Sequence, residues 1–257
     1  MIVGFAGSGN MAGALARGLV RSARAPEAML FADSGSGRAA ALAAELGGER
    51  VATLEQLADR ADVVFLAVKP AALETVAPQL AGRAGAIVSL LGATPLERLR
   101  DALEPTPVLR TLPNLAVEIG SGVICHAPAP EDAPQLGAAL ELLGGLGTVV
   151  EVPEDELDAA TAVMGCAPAY VALAAGAITD AGVDAGLDPE LSARLVREAI
   201  EGVGRHLATL EPGPMQEAIA SPGGSTEAGL AALADRHVAA AFTAAVEASL
   251  QRMAAAG

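Results

Sequence analysis

Two short stretches of this sequence combine glycines with hydroxyl or amide side chains in a way that suits anion binding. The first is Gly7-Ser8-Gly9-Asn10-Met11-Ala12, and the second is Ser221-Pro222-Gly223-Gly224-Ser225-Thr226. Glycine lets a ligand come close to the backbone because it has no side chain. If a helix follows, its first N–H groups are unpaired and attract a phosphate or a carboxylate. Each stretch is therefore a candidate binding site.

The first stretch lies between a predicted strand and a predicted helix. Residues 2–6 are apolar, and Met11, Leu15 and Leu19 recur at helical spacing over residues 10–24. A second apolar run, residues 29–33, follows and ends in Asp33. This order is typical of a dinucleotide-binding βαβ unit with the glycine motif G-x-G-x-x-G, in which the small residue Ala12 stands at the third glycine position. We therefore expect residues 7–11 (Gly7, Ser8, Gly9, Asn10 and Met11) to bind a pyrophosphate.

The residues after the second strand leave the choice between NADH and NADPH open. An acid at this position, here Asp33, normally binds the adenine ribose hydroxyls and favours NAD. Ser34, Ser36 and Arg38 follow it, and serine with arginine suits a 2′-phosphate. Arg38 equally suits a solvated helix position, so we expect Asp33 and Ser34 to contact the cofactor without predicting which cofactor is preferred.

The rest of the first half repeats this alternation of strand and helix. Apolar runs typical of buried strands lie at 62–68, 86–91, 108–112, 122–126 and 148–152. Between them we predict helices at 38–46, from Thr53, at 71–80 and from an N-cap at Thr94. After Pro153 only helices are predicted, at 154–164, 168–185, 189–210, 214–220, 226–235 and 238–255. The sequence thus predicts a doubly wound α/β domain, residues 1–152, and an all-helical domain, residues 153–257.

Composition excludes several classes of function. A net charge of −15 argues against nucleic acid and against an anionic membrane surface, since both require basic protein surface. No stretch reaches the roughly 18 uninterrupted apolar residues of a membrane span. Cys125 and Cys166 have neither pairing nor metal-ligand spacing, and no metal cluster is expected. With no signal-peptide pattern at the start, we expect a cytoplasmic protein.

The second stretch has two interpretations. Gly223 and Gly224 could end one helix while Ser225 or Thr226 caps the next. Alternatively, the Pro-Gly-Gly turn could expose consecutive N–H groups that bind a ligand carboxylate. A cap and an anion site can coexist.

Four segments resemble the pyrroline-5-carboxylate reductase family. They are "GFAGSGNMAGAL" at 4–15, "FLAVKP" at 65–70, "RTLPN" at 110–114 and "SPGGSTEAGL" at 221–230, and their order and spacing match over essentially the whole chain. The resemblance implies a Rossmann domain followed by a helical dimerisation domain. It implies reduction of the cyclic imine 1-pyrroline-5-carboxylate to L-proline with NADPH or NADH. It also implies a homodimer, or a larger homo-oligomer built from dimers.

The resemblance assigns roles by position. Ala67, Val68, Lys69 and Pro70 would line the cofactor, and Asn114 would lie near the nicotinamide. Gly223, Gly224, Ser225 and Thr226 would hold the substrate, with Thr226 as the catalytic residue that orients or protonates the imine nitrogen. The 3-hydroxyacid dehydrogenases share this architecture but use a lysine of the helical domain. The single lysine here, Lys69, lies in the first half, which disfavours that family.

Three departures from the family pattern remove polar groups near the expected active site. Met164-Gly165-Cys166-Ala167 precede Pro168 where the family has Ser-Gly-Ser or a close variant. Leu115 follows Asn114 where a threonine is usual, and Gly176 stands where an acid is expected. These changes predict a drier or larger pocket. They leave open a different cyclic imine as substrate, weak activity, or a nucleotide-binding regulatory protein that has lost catalysis.

Overall fold

The computed structural model describes residues 1–130 and 132–255, which form two compact units. The first unit comprises Met1–Cys166 together with the end of the chain from Ser249, and the second comprises Ala167–Ala248. These units are defined by contacts within the fold, which do not test a domain boundary drawn from the sequence. The division near residue 152 therefore stays a prediction.

The first unit is built on an eight-stranded sheet with the order β3-β2-β1-β4-β5-β6-β7-β8. Neighbouring strands are parallel, except that β7 runs antiparallel to β6. The predicted, mainly parallel, doubly wound sheet is confirmed; the short strand β3 was not predicted. The strands are β1 Ile2–Ala6, β2 Ala28–Ala32, β3 Glu49–Arg50, β4 Val63–Leu66, β5 Ile87–Ser89, β6 Val108–Pro113, β7 Gly122–His126 and β8 Gly147–Glu151.

Helices cover both faces of this sheet. They are α1 Asn10–Arg21, α2 Arg38–Leu46, α3 Leu54–Arg60, α4 Leu73–Leu80, α5 Leu96–Leu103, α6 Pro134–Leu143 and α7 Leu157–Met164. Buried residues of α1, α2 and α6 pack on one face, and those of α3, α4 and α5 pack on the other. Helix α6 was not predicted. Successive strand residues point to opposite faces, so a sheet covered on both sides reads as continuous apolar runs.

Three phenylalanine rings stack across the central strands, on the face of the sheet that α1 covers. Phe5 of β1 is paired in register with Phe31 of β2 and Phe65 of β4. Its ring stacks on theirs at centroid distances of 5.2 and 5.4 Å. These rings supply most of the aromatic core of a chain that is only 2% aromatic.

One predicted helix cap is confirmed and one is wrong. Thr53 caps α3, since its hydroxyl accepts from the N–H of Gln56 at 3.2 Å. The expected N-cap at Thr94 is not formed, because the Thr94 hydroxyl donates to the Gly92 carbonyl. The N–H of Leu96 at the start of α5 instead donates to Glu154 at 2.9 Å. A carboxylate 58 residues away therefore caps this helix.

The described residues of the second unit form helices joined by turns and loops, with no strand among them, as expected. Its helices are α8 Ala167–Asp184, α9 Pro189–His206, α10 Pro212–Ile219, α11 Ser225–Asp235 and α12 Val238–Ala254, whose last residues are grouped with the first unit. Helices α8 and α9 approach closely where the Ser192 hydroxyl donates to the Thr179 carbonyl at 2.8 Å. A Cβ at Gly182 would lie 2.3 Å from the Ser192 oxygen, so any larger residue there would displace this side chain and its hydrogen bond. Asp188 caps α9, since its side chain accepts from the N–H groups of Glu190 and Leu191.

Among the described residues, one helical run is long and apolar enough to cross a membrane by length and composition alone. It is Glu154–Asp184, and 6% of its most apolar window is buried. Large apolar side chains are also exposed on the other helices of the second unit, including Leu195, Leu233 and Phe242. Apolar surface on this scale is typical of a surface that another molecule covers.

Candidate functional site

A crevice opens at the carboxyl ends of β1 and β4, in the first unit. The strand order reverses between these two strands, and ligands of doubly wound sheets bind at such a switch point. The N–H of Gly7 donates to the Ala32 carbonyl, and that of Ala67 donates to the Ala6 carbonyl. The turns after β1, β2 and β4 are thereby fixed around a cavity of about 750 Å³.

The first predicted stretch forms the floor of this cavity. Gly7 has φ +99°, and a Cβ there would lie 2.6 Å from the Ala67 carbonyl oxygen, so the turn requires glycine. Gly9 faces open space, since a Cβ at this position would meet no atom within 4 Å. It is also the N-cap of α1, without a side-chain cap. The open space and the unpaired helix start both suit a pyrophosphate.

The Ser8 side chain is a second, independent indication that this cavity binds a ligand. This side chain lines the cavity, is buried, and its hydroxyl has no hydrogen-bond partner in the described part of the chain. A buried hydroxyl without a partner is costly, and a bound ligand would supply one. Asn10, exposed, and Met11, half-buried, lie in the first turn of α1. Asn10 lines a smaller adjoining cavity of about 180 Å³.

Asp33 does not present a free carboxylate to the cavity. Its Oδ1 accepts from the N–H of Gly35 at 3.0 Å. Its Oδ2 accepts from the Ser36 hydroxyl at 2.5 Å and from the N–H of Ala39 at 3.0 Å. Burial raises the pKa of this carboxyl, but these hydrogen bonds, with the nearby charge of Arg50, together lower the pKa below its ordinary 3.8. Asp33 is thus ionised and holds its own loop.

The turn after β4 supplies the opposite wall. Ala67, Val68 and Lys69 line the cavity, and Pro70 begins a short 3₁₀ turn directly after them. Lys69 is exposed. Sequence reasoning missed the remaining wall, which comes from the start of α3 at Thr53–Glu55 and from Thr75 and Gln79 of α4. The capping pattern at Thr53 predicted the start of α3, but the strand before it, β3, was not predicted, so its place at this edge of the sheet was missed.

Asn114 is placed by hydrogen bonds at the end of β6. Its side-chain oxygen accepts from the N–H of Val123, and its side-chain nitrogen donates to the Met164 carbonyl, each at 3.2 Å. The side chain is 7% exposed. Asn114 therefore ties two strands to the end of α7. Its expected proximity to the nicotinamide stays a prediction. Leu115, which follows it, is 54% exposed.

An ionic cluster around the buried Arg110 was not predicted from the sequence. Arg110 lies on β6, the strand that Asn114 follows. Arg110 of β6 is 3% exposed, and its guanidinium donates to Glu154 at 2.8 Å and to Asp158 at 2.5 Å. Glu154 also caps α5, so the cluster joins β6, α5 and the start of α7. The acidic run at 154–158 gives no local sign of this role. The arginine partner could not be found from local sequence.

The second predicted stretch forms an open turn in the second unit. Gly223 has φ +73°, and Gly224 is the N-cap of α11 without a side-chain cap. The alternative in which Ser225 or Thr226 caps this helix is therefore wrong. Ser225 and Thr226 are both exposed in its first turn. Two donors of the turn are used, since the N–H of Gly223 donates to Glu227 at 2.7 Å and the N–H of Gly224 donates to the Ser221 carbonyl at 2.9 Å.

Two of the departures from the expected pattern also have defined surroundings. Cys166 is half-buried immediately before α8. Gly176 lies on α8, and a Cβ at this position would meet no atom within 4 Å. By contrast Cys125 is buried in β7, and burial raises the pKa of its thiol.

Most of both units is matched by models of known protein families. A family model described as pyrroline-5-carboxylate reductase dimerisation matches residues 154–256. A model described as NADP oxidoreductase, coenzyme F420-dependent, matches residues 2–91. The chain is 33% identical to a pyrroline-5-carboxylate reductase of Synechocystis over 97% of this chain and 96% of that protein. It is 36% identical to one of Thermus thermophilus over 98% and 97%.

Solved structures agree with these sequence relatives. The chain is similar to 1-pyrroline-5-carboxylate reductase from Streptococcus pyogenes, with a TM-score of 0.90 and 26% identity over 99% of this chain and 98% of that one. It is also similar to pyrroline carboxylate reductase from Plasmodium falciparum, solved with NADP bound. For that structure the TM-score is 0.86, with 26% identity over 100% of this chain and 98% of that one.

Proposed function

The chain belongs to the pyrroline-5-carboxylate reductase family, and we propose that it reduces 1-pyrroline-5-carboxylate to L-proline with NADPH or NADH. The observation that carries this proposal is the crevice over Gly7 and Gly9. It has the open glycine, the buried unpartnered Ser8 hydroxyl and the helix start that a dinucleotide requires. The full-length match to reductases of this one activity supplies the substrate.

Within the proposed cofactor site each group of residues has a distinct role. Gly7, Ser8, Gly9, Asn10 and Met11 would hold the pyrophosphate, and Ala67, Val68, Lys69 and Pro70 would form the wall after β4. Asp33 and Ser34 would border the adenine ribose, and Asn114 would hold the backbone near the nicotinamide end. When bound, the reduced nicotinamide supplies the hydride.

The proposed substrate site is the turn at Gly223, Gly224, Ser225 and Thr226. The unpaired N–H groups at the start of α11 would bind the carboxylate of the imino acid. Reduction adds a hydride to the C=N carbon and leaves a secondary amine, so the nitrogen must hold one proton during the step. The Thr226 hydroxyl would hydrogen-bond that nitrogen and orient it, which makes Thr226 the proposed catalytic residue.

We propose that a second copy of this chain covers the exposed apolar helices. Leu173, Ile178 and Leu195 are 75%, 57% and 50% exposed, and the dimerisation family model spans the helices that carry them. A homodimer, or a larger assembly of dimers, would bury this surface without a membrane. The net charge of −15 and the free cysteines support a cytoplasmic protein that does not bind nucleic acid.

The test is the oxidation of NADPH and, separately, NADH by the full-length protein with 1-pyrroline-5-carboxylate, followed by absorbance. In a Ser225→Ala, Thr226→Ala double variant we expect kcat/KM to fall about 10- to 100-fold, the usual effect of losing hydrogen bonds to a charged group. A Thr209→Ala variant is the matched control, since this exposed threonine donates its hydroxyl to the His206 carbonyl at the end of α9.

Two results would contradict the proposal in different ways. Turnover of a panel of other cyclic imines, but not of pyrroline-5-carboxylate, would assign a different substrate, as the open space at Gly176 permits. Cofactor binding without turnover of any imine would indicate a nucleotide-binding regulatory protein.

A further inference from the structure

The junction between α7 and α8 lies at the boundary between the two units. Helix α7 ends at Met164, α8 begins at Ala167, and the first unit extends to Cys166. In a continuous helix the Met164 carbonyl would accept from the N–H four residues further on. Pro168 stands at that position and has no N–H. The Met164 carbonyl is therefore free to accept a hydrogen bond from another element.

Asn114, at the end of β6, supplies the donor. Its side-chain nitrogen donates to the Met164 carbonyl at 3.2 Å. The orientation of the amide is fixed, because its oxygen accepts from the N–H of Val123, and a nitrogen there would bring two donors together. The backbone N–H of Asn114 donates in turn to the Val123 carbonyl at 3.0 Å. Both ends of this buried amide are thus engaged within the protein.

The same stretch of chain also holds the start of α7. Arg110 and Asn114 are four residues apart in extended backbone, which places them on the same face of the sheet. Arg110 donates to Asp158, in the first turn of α7, at 2.5 Å. Leu157 beside it packs into the apolar cluster on this face. Helix α7 is therefore held at both ends, by an ion pair at its start and by an amide at its end.

We propose that Asn114 is a positioning residue of the proposed reaction, which acts through the Met164 carbonyl rather than by contact with the nicotinamide. The junction, Met164-Gly165-Cys166-Ala167, carries no strong side-chain hydrogen-bonding group, so Asn114 holds the point where the chain leaves the first unit. From there the chain continues to the proposed substrate turn, and hydride transfer requires cofactor and substrate to be held closely in place. The inference therefore rests on the proposed function.

The experiment uses the full-length Asn114→Asp variant, which keeps the acceptor for Val123 but replaces the donor to Met164 with an oxygen. We expect kcat for the imine to fall about 10- to 100-fold, because a hydrogen bond is lost and two acceptors then face each other. Hydrogen exchange of the Gly165 and Cys166 amides should become faster. The affinities for NADPH and for 2′-phospho-ADP-ribose, which lacks the nicotinamide, should both stay within about twofold of wild type.

Two further variants serve as controls. Gln135→Glu makes the same change of amide to carboxylate at an exposed position of α6 and should alter none of these quantities. Asn114→Ser removes both side-chain contacts without adding a charge, and it replaces the aspartate variant if thermal melting shows that variant to be unfolded. It should likewise lower kcat, speed exchange at residues 165 and 166, and leave both nucleotide affinities unchanged.

The proposal is overturned if Asn114→Asp weakens binding of NADPH but not of 2′-phospho-ADP-ribose, because Asn114 would then contact the nicotinamide. It is also overturned if exchange at residues 165 and 166 is unchanged, or if exchange becomes faster while kcat stays the same. A wild type that reduces no imine contradicts the proposed function instead. The nucleotide affinities and the exchange rates would still show whether Asn114 acts through Met164.

Discussion

Gly7 and Gly9 differ in what a methyl group would meet and in their backbone φ angle, so replacing each with alanine tests fold stability and cofactor binding separately. At Gly7 an added Cβ would lie 2.6 Å from the carbonyl oxygen and 2.8 Å from the carbonyl carbon of Ala67. Both are backbone atoms of the neighbouring strand end, so neither can rotate away. At Gly9 an added Cβ would meet nothing within 4 Å. Gly7→Ala should therefore disturb the protein, and Gly9→Ala should disturb only its ligand.

The magnitude for Gly7→Ala combines two costs. A non-glycine residue at φ +99° costs about 1–3 kcal/mol. Relief of the contact with Ala67 requires the turns after β1 and β4 to separate, which adds about 1 kcal/mol as overpacking does elsewhere. The total is about 2–4 kcal/mol. A chain of this size loses about 2–4 °C of Tm per kcal/mol, so we expect Tm to fall by about 5–15 °C.

Gly9→Ala should leave Tm within about 2 °C of wild type, because φ is −75° there and alanine is tolerated. Its methyl group would occupy the space expected to hold the pyrophosphate, and we expect the NADPH dissociation constant to rise at least about tenfold. Calorimetric melting and fluorescence titration of NADPH, at one protein concentration, measure both quantities. Fixed concentration matters because assembly shifts Tm.

The reasoning is refuted if the two variants behave alike. An unchanged Tm for Gly7→Ala would mean that the turn accommodates a side chain, and the argument from positive φ would fail. Unchanged NADPH binding by Gly9→Ala would mean that the open space over the start of α1 is not the pyrophosphate site.

Three further perturbations test other parts of the structure. Arg110→Met should lower the urea unfolding free energy by about 2–3 kcal/mol, below the 3–5 typical of broken buried pairs because its carboxylate partners are 33% and 40% exposed. In the Arg110→Met background, Glu154→Gln together with Asp158→Asn should recover part of the lost unfolding free energy. No recovery would show that the three charges are not coupled. Glu227→Gln keeps an acceptor for Gly223 but removes a charge from the proposed carboxylate site. Because two charges about 4 Å apart in water repel by about 1 kcal/mol, KM should fall up to about fivefold at constant kcat, less so at high salt; a higher KM would assign the carboxylate a positioning role. The folded pKa of Asp33 lies below its ordinary 3.8, so its stabilising contribution is present above about pH 4 and is lost as pH falls through the folded pKa. The urea-midpoint difference between wild type and Asp33→Asn should therefore shrink in acid, and a difference that grows would contradict the hydrogen-bond assignment.

Local sequence patterns predicted most elements of the first unit because burial and local structure coincide there. Continuous apolar runs mark strands covered on both faces, and the run at 62–68 contains β4. The capping pattern at Thr53 depends only on residues three apart, and it is confirmed. Strand β3 escaped prediction because it has two residues, Glu49 and Arg50, both exposed, and so carries no apolar signal.

The contacts of polar side chains were harder to predict, because the fold and not the local sequence determines which groups they meet. Glu154 caps α5 and pairs with the buried Arg110. The separations of 58 and 44 residues make both contacts invisible to any local pattern. Asp33 is the converse case, because its hydrogen-bond partners lie close to it in the sequence. Its position suggested a ligand contact, while its carboxylate is satisfied within six residues of its own loop.

The second unit shows what helical periodicity leaves undetermined. Its helices were predicted almost to their ends, yet among the described residues of α8 to α12 only Ser192 is classed as buried. Burying an apolar side chain such as Leu173 or Phe242 is worth about 1.5–3 kcal/mol, and these remain 75% and 45% exposed in one chain. Helices α8 and α9 contact each other at Ser192, but little apolar side-chain surface is buried within this unit. We therefore expect the proposed second copy of the chain to supply further stability. Dilution of the protein should then lower its melting temperature, and a concentration-independent melt with a monomeric sedimentation coefficient would contradict the proposed homodimer.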